Sequence, residues 1–142
     1  MTAVCLAVVL VVTYGAGSVS KEFADGHIAT VHVFDDSGEL VGPVAMDPVV
    51  KTPAQWRETL TADQYNVVRE AGTERAFTGA LLGNTDTGVY TCVACRLPLF
   101  DSKTKFKSGT GWPSYFEPIA GDNVAELTDR SLGVARTEIL CA

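Results

Sequence analysis

Three cysteines and their spacing constrain this chain more than any other feature. Cys92-Val93-Ala94-Cys95 is a Cys-x-x-Cys pair, and Cys141 stands just before the last residue given, Ala142. A closed structural zinc site needs four ligands in a tetrahedron. On that reading Cys92 and Cys95 form one knuckle and Cys141 opens a second, whose partner position falls past Ala142. The expectation is a metal-clipped fold in a chain that stops before its fourth ligand. Two readings compete, a redox dithiol and plain buried thiols. A redox pair sits at a strand-to-helix junction. Here Leu97-Pro98-Leu99-Phe100 follows, and Pro98 turns its predecessor away from helix.

The length of 142 residues fits one compact domain. Seventeen Asp and Glu against eleven Lys and Arg leave a net charge of −6. That balance argues against a nucleic-acid binder, which needs clustered basic residues to meet phosphates, and so disfavours a nucleic-acid-binding zinc ribbon. The one basic concentration, Lys103-Thr104-Lys105-Phe106-Lys107, is expected to be a solvated loop.

Ala3 to Val12 is a continuous apolar run followed by small residues at Gly15-Ala16-Gly17. It is too short to span a membrane, which takes roughly 20 apolar residues. Its length suits the apolar region of a secretory signal with a small-residue cleavage site, although Met1-Thr2 supplies no basic side chain. Residues 1–20 are therefore expected to be a signal peptide and the mature protein to be exported, periplasmic or secreted. A buried β-strand in a cytoplasmic protein is the competing reading. If the signal is cleaved, Cys5 leaves with it.

Residues 21–50 read as a β-hairpin extension. His27 to Phe34 is rich in β-branched residues, Asp35-Asp36-Ser37-Gly38 is a turn signal, and Glu39-Leu40-Val41 resumes a strand. His27 and His32 fall on opposite faces of such a strand and do not share a metal. Thr52-Pro53 opens a short helix to about Leu60. Thr61-Ala62-Asp63-Gln64 has the capping-box pattern, so a second helix runs from about Ala62 to Glu70. Trp56, Leu60, Gln64, Tyr65 and Val68 form its apolar stripe. From Gly88 onward the signals are β. Strands are expected at Val89–Cys92 and Leu97–Phe100, and a hairpin at Val124–Leu127 and Val134–Leu140 with its turn at Asp129-Arg130-Ser131. Alternation then brings Cys141 onto the inner face, toward the knuckle.

Ser108-Gly109-Thr110-Gly111-Trp112-Pro113-Ser114 is the second informative run. Two glycines allow a tight loop, and Pro113 stiffens it. An indole carried there makes a flat apolar wall able to meet a methyl group. By residue type alone, Trp112 is more simply read as a core aromatic.

Together these residues resemble the methionine-R-sulfoxide reductase family, the B-type enzymes. The resemblance runs from about Pro53 to Cys141. It covers Trp56, Leu60, Gln64 to Arg69, Gly72-Thr73-Glu74, Phe77-Thr78-Gly79, Gly88 to Cys95, Leu97 to Phe100, Thr104-Lys105-Phe106, Ser108 to Ser114 and Arg136 to Cys141. It implies a mainly β fold for residues 51–142, with two antiparallel β-sheets in a β-tent, short N-terminal helices and a structural zinc. Cys92, Cys95 and Cys141 match three of its four ligands. It implies that Trp112 lines the pocket for the substrate methyl group, against the core reading. No organic cofactor is implied. The implied reaction is thiol-dependent reduction of methionine-R-sulfoxide, free or in proteins, to methionine in repair of oxidative damage. The implied partners are those substrates and thioredoxin or a similar dithiol reductant, with the protein a monomer free of any stable membrane span.

Two departures from the family pattern matter. No residue here matches the family's nucleophilic cysteine, so no catalytic residue is assigned, and the chain alone is expected to be inactive. Thr110 stands where many members carry a resolving cysteine. A non-catalytic, zinc-stabilised binding module for oxidised peptides is the alternative.

Overall fold

A computed structural model of the protein describes residues 5–7, 28–129 and 136–142. The expected signal segment, apart from residues 5–7, lies outside the described residues. So do His27 and most of the turn expected near Asp129.

The expected hairpin is β2 (Ala29–Phe34) and β3 (Leu40–Met46), paired antiparallel. Its turn is organised by Asp35, whose carboxylate accepts from the amides of Ser37 and Glu39 at 2.9 and 3.0 Å. Gly38 supplies the left-handed position at φ 83°. The register shifts between Val31 and Val33, leaving His32 in a bulge.

Two capped helices follow, α1 (Pro53–Thr59) and α2 (Ala62–Arg69). Thr61 and Gln64 form the expected capping box, and Thr52 with Gln55 forms another that satisfies the free amides of α1 in the same way. Trp56 and Leu60 are buried with Val93 against Tyr65 and Val68. The buried residue of α2 is Val67, while Gln64 is spent on the cap.

The remaining strands are short. β4 (Val89–Cys92) pairs antiparallel with β5 (Pro98–Asp101), and the backbone of β1 (Cys5–Ala7) runs parallel to β4 on its other side. β6 (Lys105–Phe106) pairs with β7 (Ser114–Tyr115), and β8 (Val124–Asp129) with β9 (Arg136–Cys141), both antiparallel. Mainly β architecture in short antiparallel pieces with two helices is thus present. Among the described residues no helix is long and apolar enough to cross a membrane.

The main core gathers Val31, Cys92, Leu97 and Leu99, with Ala29, Val33, Val124 and Cys141 packed against them. Hairpin residue Val31 is only 2% exposed, so β2 is packed into this core. Cys92 faces this cluster, whereas its neighbour Val93 faces the helices, and the knuckle therefore joins the two cores.

The basic stretch corrects an expectation. Lys103 and Lys107 are exposed, but Lys105 is not a solvated side chain. Its ammonium donates to the carbonyls of Leu81 (2.5 Å) and Asn84 (2.6 Å) and lies over the Tyr90 ring. The physical reason is a turn at 80–84 whose carbonyls need a donor, and the long stem of Lys105 crosses from β6 to provide it.

Candidate functional site

The knuckle is built by the backbone. Cys92 N–H donates to Leu97 O and Arg96 N–H to Cys92 O, both at 2.9 Å, closing a tight turn. Arg96 adopts φ 70° to make it. The turned amides of Cys95 and Ala94 donate toward the Cys92 sulfur, and that of Leu97 toward the Cys95 sulfur. Amides aimed at sulfur favour thiolates.

Cys141 arrives from the other side of the core. β9 pairs with β8 so that Cys141 lies opposite Val124. Its Sγ stands 3.4 Å from that of Cys95, and the three sulfurs of Cys92, Cys95 and Cys141 lie within 4.8 Å of one another. None is in a disulfide. In a tetrahedral zinc thiolate site, Zn–S bonds of about 2.3 Å put the sulfurs about 3.8 Å apart. The sulfurs are gathered on that scale, so the cluster fits a metal ion. Among the described residues no fourth ligand joins it.

The thiols behave as one acid. Cys92 is held far below the usual thiol range, by hydrogen bonds from Cys141 first, then Cys95, with the two amides helping and burial opposing. Cys141 is pushed up, because the protons it keeps are those it shares with Cys92 and Cys95, and because it is buried. For Cys95 the Cys141 hydrogen bond lowers the pKa, but its bond to Cys92, burial and the Cys92 charge outweigh it and raise it. One thiolate forms readily and the others resist. A divalent cation supplies the charge that lets all three ionise.

Trp112 sits apart from the thiols, on the loop between β6 and β7. Two hydrogen bonds fasten this loop to residues 74–77: Trp112 Nε1 donates to Glu74 O (2.9 Å) and Phe77 N–H to Gly111 O (2.8 Å). Ser108 Oγ bonds Thr110 Oγ1 at 2.8 Å and Ser114 Oγ at 2.7 Å, and Ser114 Oγ reaches Trp112 O. Gly109 and Gly111 hold φ 78° and 95°. A Cβ at Gly111 would meet the Ala76 Cβ and the Phe77 ring at 2.9 Å, so only glycine fits. Trp112 is half-buried and belongs to neither core cluster. It is a fixed side chain with part of its surface left to solvent. Beside Pro113 a shallow cleft of about 220 Å³ opens, bordered by Gln64, Val67, Glu74 and Leu81.

The family model described as the SelR domain matches residues 60–142. The chain belongs to this family. The peptide methionine sulfoxide reductase MsrB of Pseudomonas fluorescens is 52% identical over 97 residues, covering 68% of this chain and 75% of its relative. The Agrobacterium fabrum protein of the same name is 54% identical over 94 residues, 66% of this chain and 70% of the relative. The chloroplastic peptide methionine sulfoxide reductase B1 of Oryza sativa is 55% identical over 92 residues, 64% of this chain and 42% of that longer protein. SelR-domain proteins of this kind are oxidoreductases acting on methionine sulfoxide, and both long-range features, the thiol cluster and the Trp112 loop, fall inside the matched span.

Some residues that hold the site have contacts that no motif announces. Asn123 is fully buried and bonds both backbone groups of His32 and the carbonyl of Pro98. Phe77 holds φ 67° with an exposed ring, a conformation that costs a bulky residue about 1–2 kcal/mol. A solitary Asn carries no spacing signal, the Phe77-Thr78-Gly79 match names no partner for its ring, and only the fold assigns these contacts.

Proposed function

We propose that these 142 residues form the metal-stabilised, substrate-recognising part of a reductase for the R epimer of methionine sulfoxide. Trp112 is the wall for the substrate methyl group, and Cys92, Cys95 and Cys141 hold a structural zinc. The observation that carries the reading is the Trp112 loop. Its indole is fixed by the Glu74 carbonyl and left partly open, and the loop backbone at Trp112 O is held by the Ser114 hydroxyl, which Ser108 braces. A rigid aromatic face is what a methyl sulfoxide needs for orientation, because its methyl end is apolar and its oxygen polar. The three-thiolate donor set and sulfur spacing favour zinc over harder cations. The zinc supplies folding energy and shape, not redox chemistry.

The reaction needs a thiolate to attack the sulfoxide sulfur while an acid protonates the oxygen. The oxygen passes to the thiol as a sulfenic acid and methionine leaves. Two reductant thiols, from thioredoxin or a similar dithiol, then become a disulfide, returning the first thiol and releasing water. Each described thiol of this chain sits in the metal cluster. We therefore expect no turnover from these residues by themselves. The same observation favours a second reading, a non-catalytic module that binds oxidised peptides. Export through residues 1–20 remains part of the proposal.

The test is calorimetric binding of the R and S epimers of a methionine sulfoxide peptide, with turnover followed in dithiothreitol. The R epimer binds more tightly, Trp112→Ala loses the binding, and no methionine is formed. Equal binding of both epimers, or no effect of Trp112→Ala, overturns the role of Trp112. Methionine production overturns the inactivity.

A further inference from the structure

Of the two methionines in this chain, Met46 is the one in the described structure. It is the last residue of β3, and its side chain is 46% exposed. It lies on the hairpin, ahead of the matched residues 60–142. The residues that follow it, 47–52, belong to no helix or strand and include the exposed Val49 and Val50. A small solute in water therefore reaches this thioether from the open end of the hairpin.

The register decides what the covered half of Met46 does. Met46 stands opposite Ala29, Ala45 opposite Thr30 and Val44 opposite Val31. Side chains directly opposite share a face, and the face alternates along each strand. Val31 is buried in the main core and Ala29 packs against that core, so Val44 and Met46 lie on the core face. Thr30 and Ala45, on the other face, are exposed. Met46 is thus the rim of the core face. It covers the end of a hairpin whose Val31 packs in the same cluster as Cys92.

We propose that Met46 is an oxidation site, converted by a hydroperoxide to the sulfoxide, and that the modification loosens the β2–β3 hairpin. The thioether sulfur attacks the outer oxygen of the peroxide. An S–O bond forms as the O–O bond breaks, and the leaving oxygen takes a proton and departs as alcohol, or as water from hydrogen peroxide. Sulfur gives up two electrons and the peroxide takes them. The product carries a polar oxygen where the strand has apolar cover, and that dipole is better satisfied in water than against Ala29 and Val44. The competing groups are less open. Cys92 is buried and Cys95 and Cys141 are partly buried, and a bound metal ion holds their electron pairs. Trp112 is half-buried, with its ring N–H bonded to Glu74 O. The inference does not depend on the role of Trp112.

The experiment treats the zinc-loaded chain with hydrogen peroxide and follows peptide masses together with amide hydrogen exchange. The Met46 peptide gains one oxygen before the peptides that hold Trp112 or the three cysteines, while Met1 is read on a separate peptide. Amides of residues 29–34 and 40–46 then exchange about fivefold faster, the scale of uncovering half an apolar side chain. Met46→Leu keeps the apolar cover without the sulfur, and its exchange is unchanged by peroxide. Met46→Gln is polar without oxidation, and its hairpin exchanges faster with no peroxide added. Oxidation of Trp112 or of the cysteine cluster ahead of Met46 overturns the site. Unchanged hairpin exchange in both the Met46 sulfoxide and Met46→Gln overturns the loosening.

Discussion

Substituting Asn123 by Ala should remove a large share of the protein's stability, though the residue touches neither the metal cluster nor Trp112 directly. The bulge in β2 leaves the N–H and C=O of His32 without strand partners. Asn123 replaces them: its Oδ1 accepts from His32 N at 2.7 Å, and its Nδ2 donates to His32 O at 2.8 Å and to Pro98 O at 2.7 Å. One fully buried amide thus acts as a missing stretch of strand, joining β2 to β5. Asn123→Ala orphans three backbone groups at about 1–3 kcal/mol each, or roughly 2–6 kcal/mol once water reaches one of them. A domain of this size holds only about 5–15 kcal/mol. Urea unfolding of the zinc-loaded proteins gives the difference from the midpoint and slope. Asn123→Asp sharpens the test. It keeps the shape and the acceptor but turns a second oxygen toward two carbonyls. Its loss at neutral pH is at least that of Ala, and acid restores part of it as the protonated carboxyl regains a donor. A loss under about 1 kcal/mol for Ala, or an Asp variant as stable as wild type, would refute the reasoning.

Four shorter predictions follow from other contacts. Cys141→Ser removes one sulfur ligand and the tie between β9 and the knuckle, so the variant gives up its metal to a chelator faster than wild type; unchanged release kinetics argue against a shared ion. Gly111→Ala meets both a left-handed backbone and contacts at 2.9 Å, and loses about 2–4 kcal/mol in denaturant unfolding. Lys105→Met keeps the stem but removes the charged donor from the carbonyls of Leu81 and Asn84, leaving them only the longer bonds from Asn84 N–H (3.3 Å) and Tyr90 O–H (3.5 Å), and costs about 1–2 kcal/mol in denaturant unfolding, with Lys105→Arg recovering part. The Asp35 carboxyl is held below its ordinary value, chiefly by the Ser37 hydroxyl and then the Glu39 amide. Its contribution to the hairpin is therefore present above the unfolded pKa and fades as pH falls through the lower folded one. The Asp35→Ala variant shows a shallower acid limb below about pH 4.

The legible parts of this chain were those whose chemistry is local. Thr52-Pro53 and Thr61 to Gln64 announce helix starts because a cap satisfies amides two or three residues away. Asp35 to Gly38 announces its turn for the same reason. Cys92 and Cys95 belong together because four residues of backbone close the knuckle. Cys141 was placed beside them by strand alternation, and its sulfur does join theirs. Lys105 was misread because a lysine between lysines looks solvated, and nothing local reveals that the carbonyls of Leu81 and Asn84 converge on its ammonium. Asn123 was not read at all, and Phe77 only as part of the Phe77-Thr78-Gly79 match, with no partner assigned. The partners of Asn123 lie 91 and 25 positions away, and Phe77 matters only because Gly111 folds onto it.

The unread contacts share one role, which ties the two ends of the described fold to its centre. Asn123 holds the bulge of β2, its carbonyl accepts from Ala142, and its neighbour Val124 pairs with Cys141. The hairpin and the third thiol are therefore fixed through the same residue. A loosened Asn123 should loosen the sulfur cluster even though no sulfur touches it. Zinc release from Asn123→Ala under conditions where the fold survives then measures that coupling. If release is as slow as in wild type, the cluster is held by β8–β9 pairing alone and the hairpin is energetically separate from it. If it is faster, the hairpin at residues 29–46 is part of what shapes the metal site, and the function of residues 51–142 depends on residues that precede them.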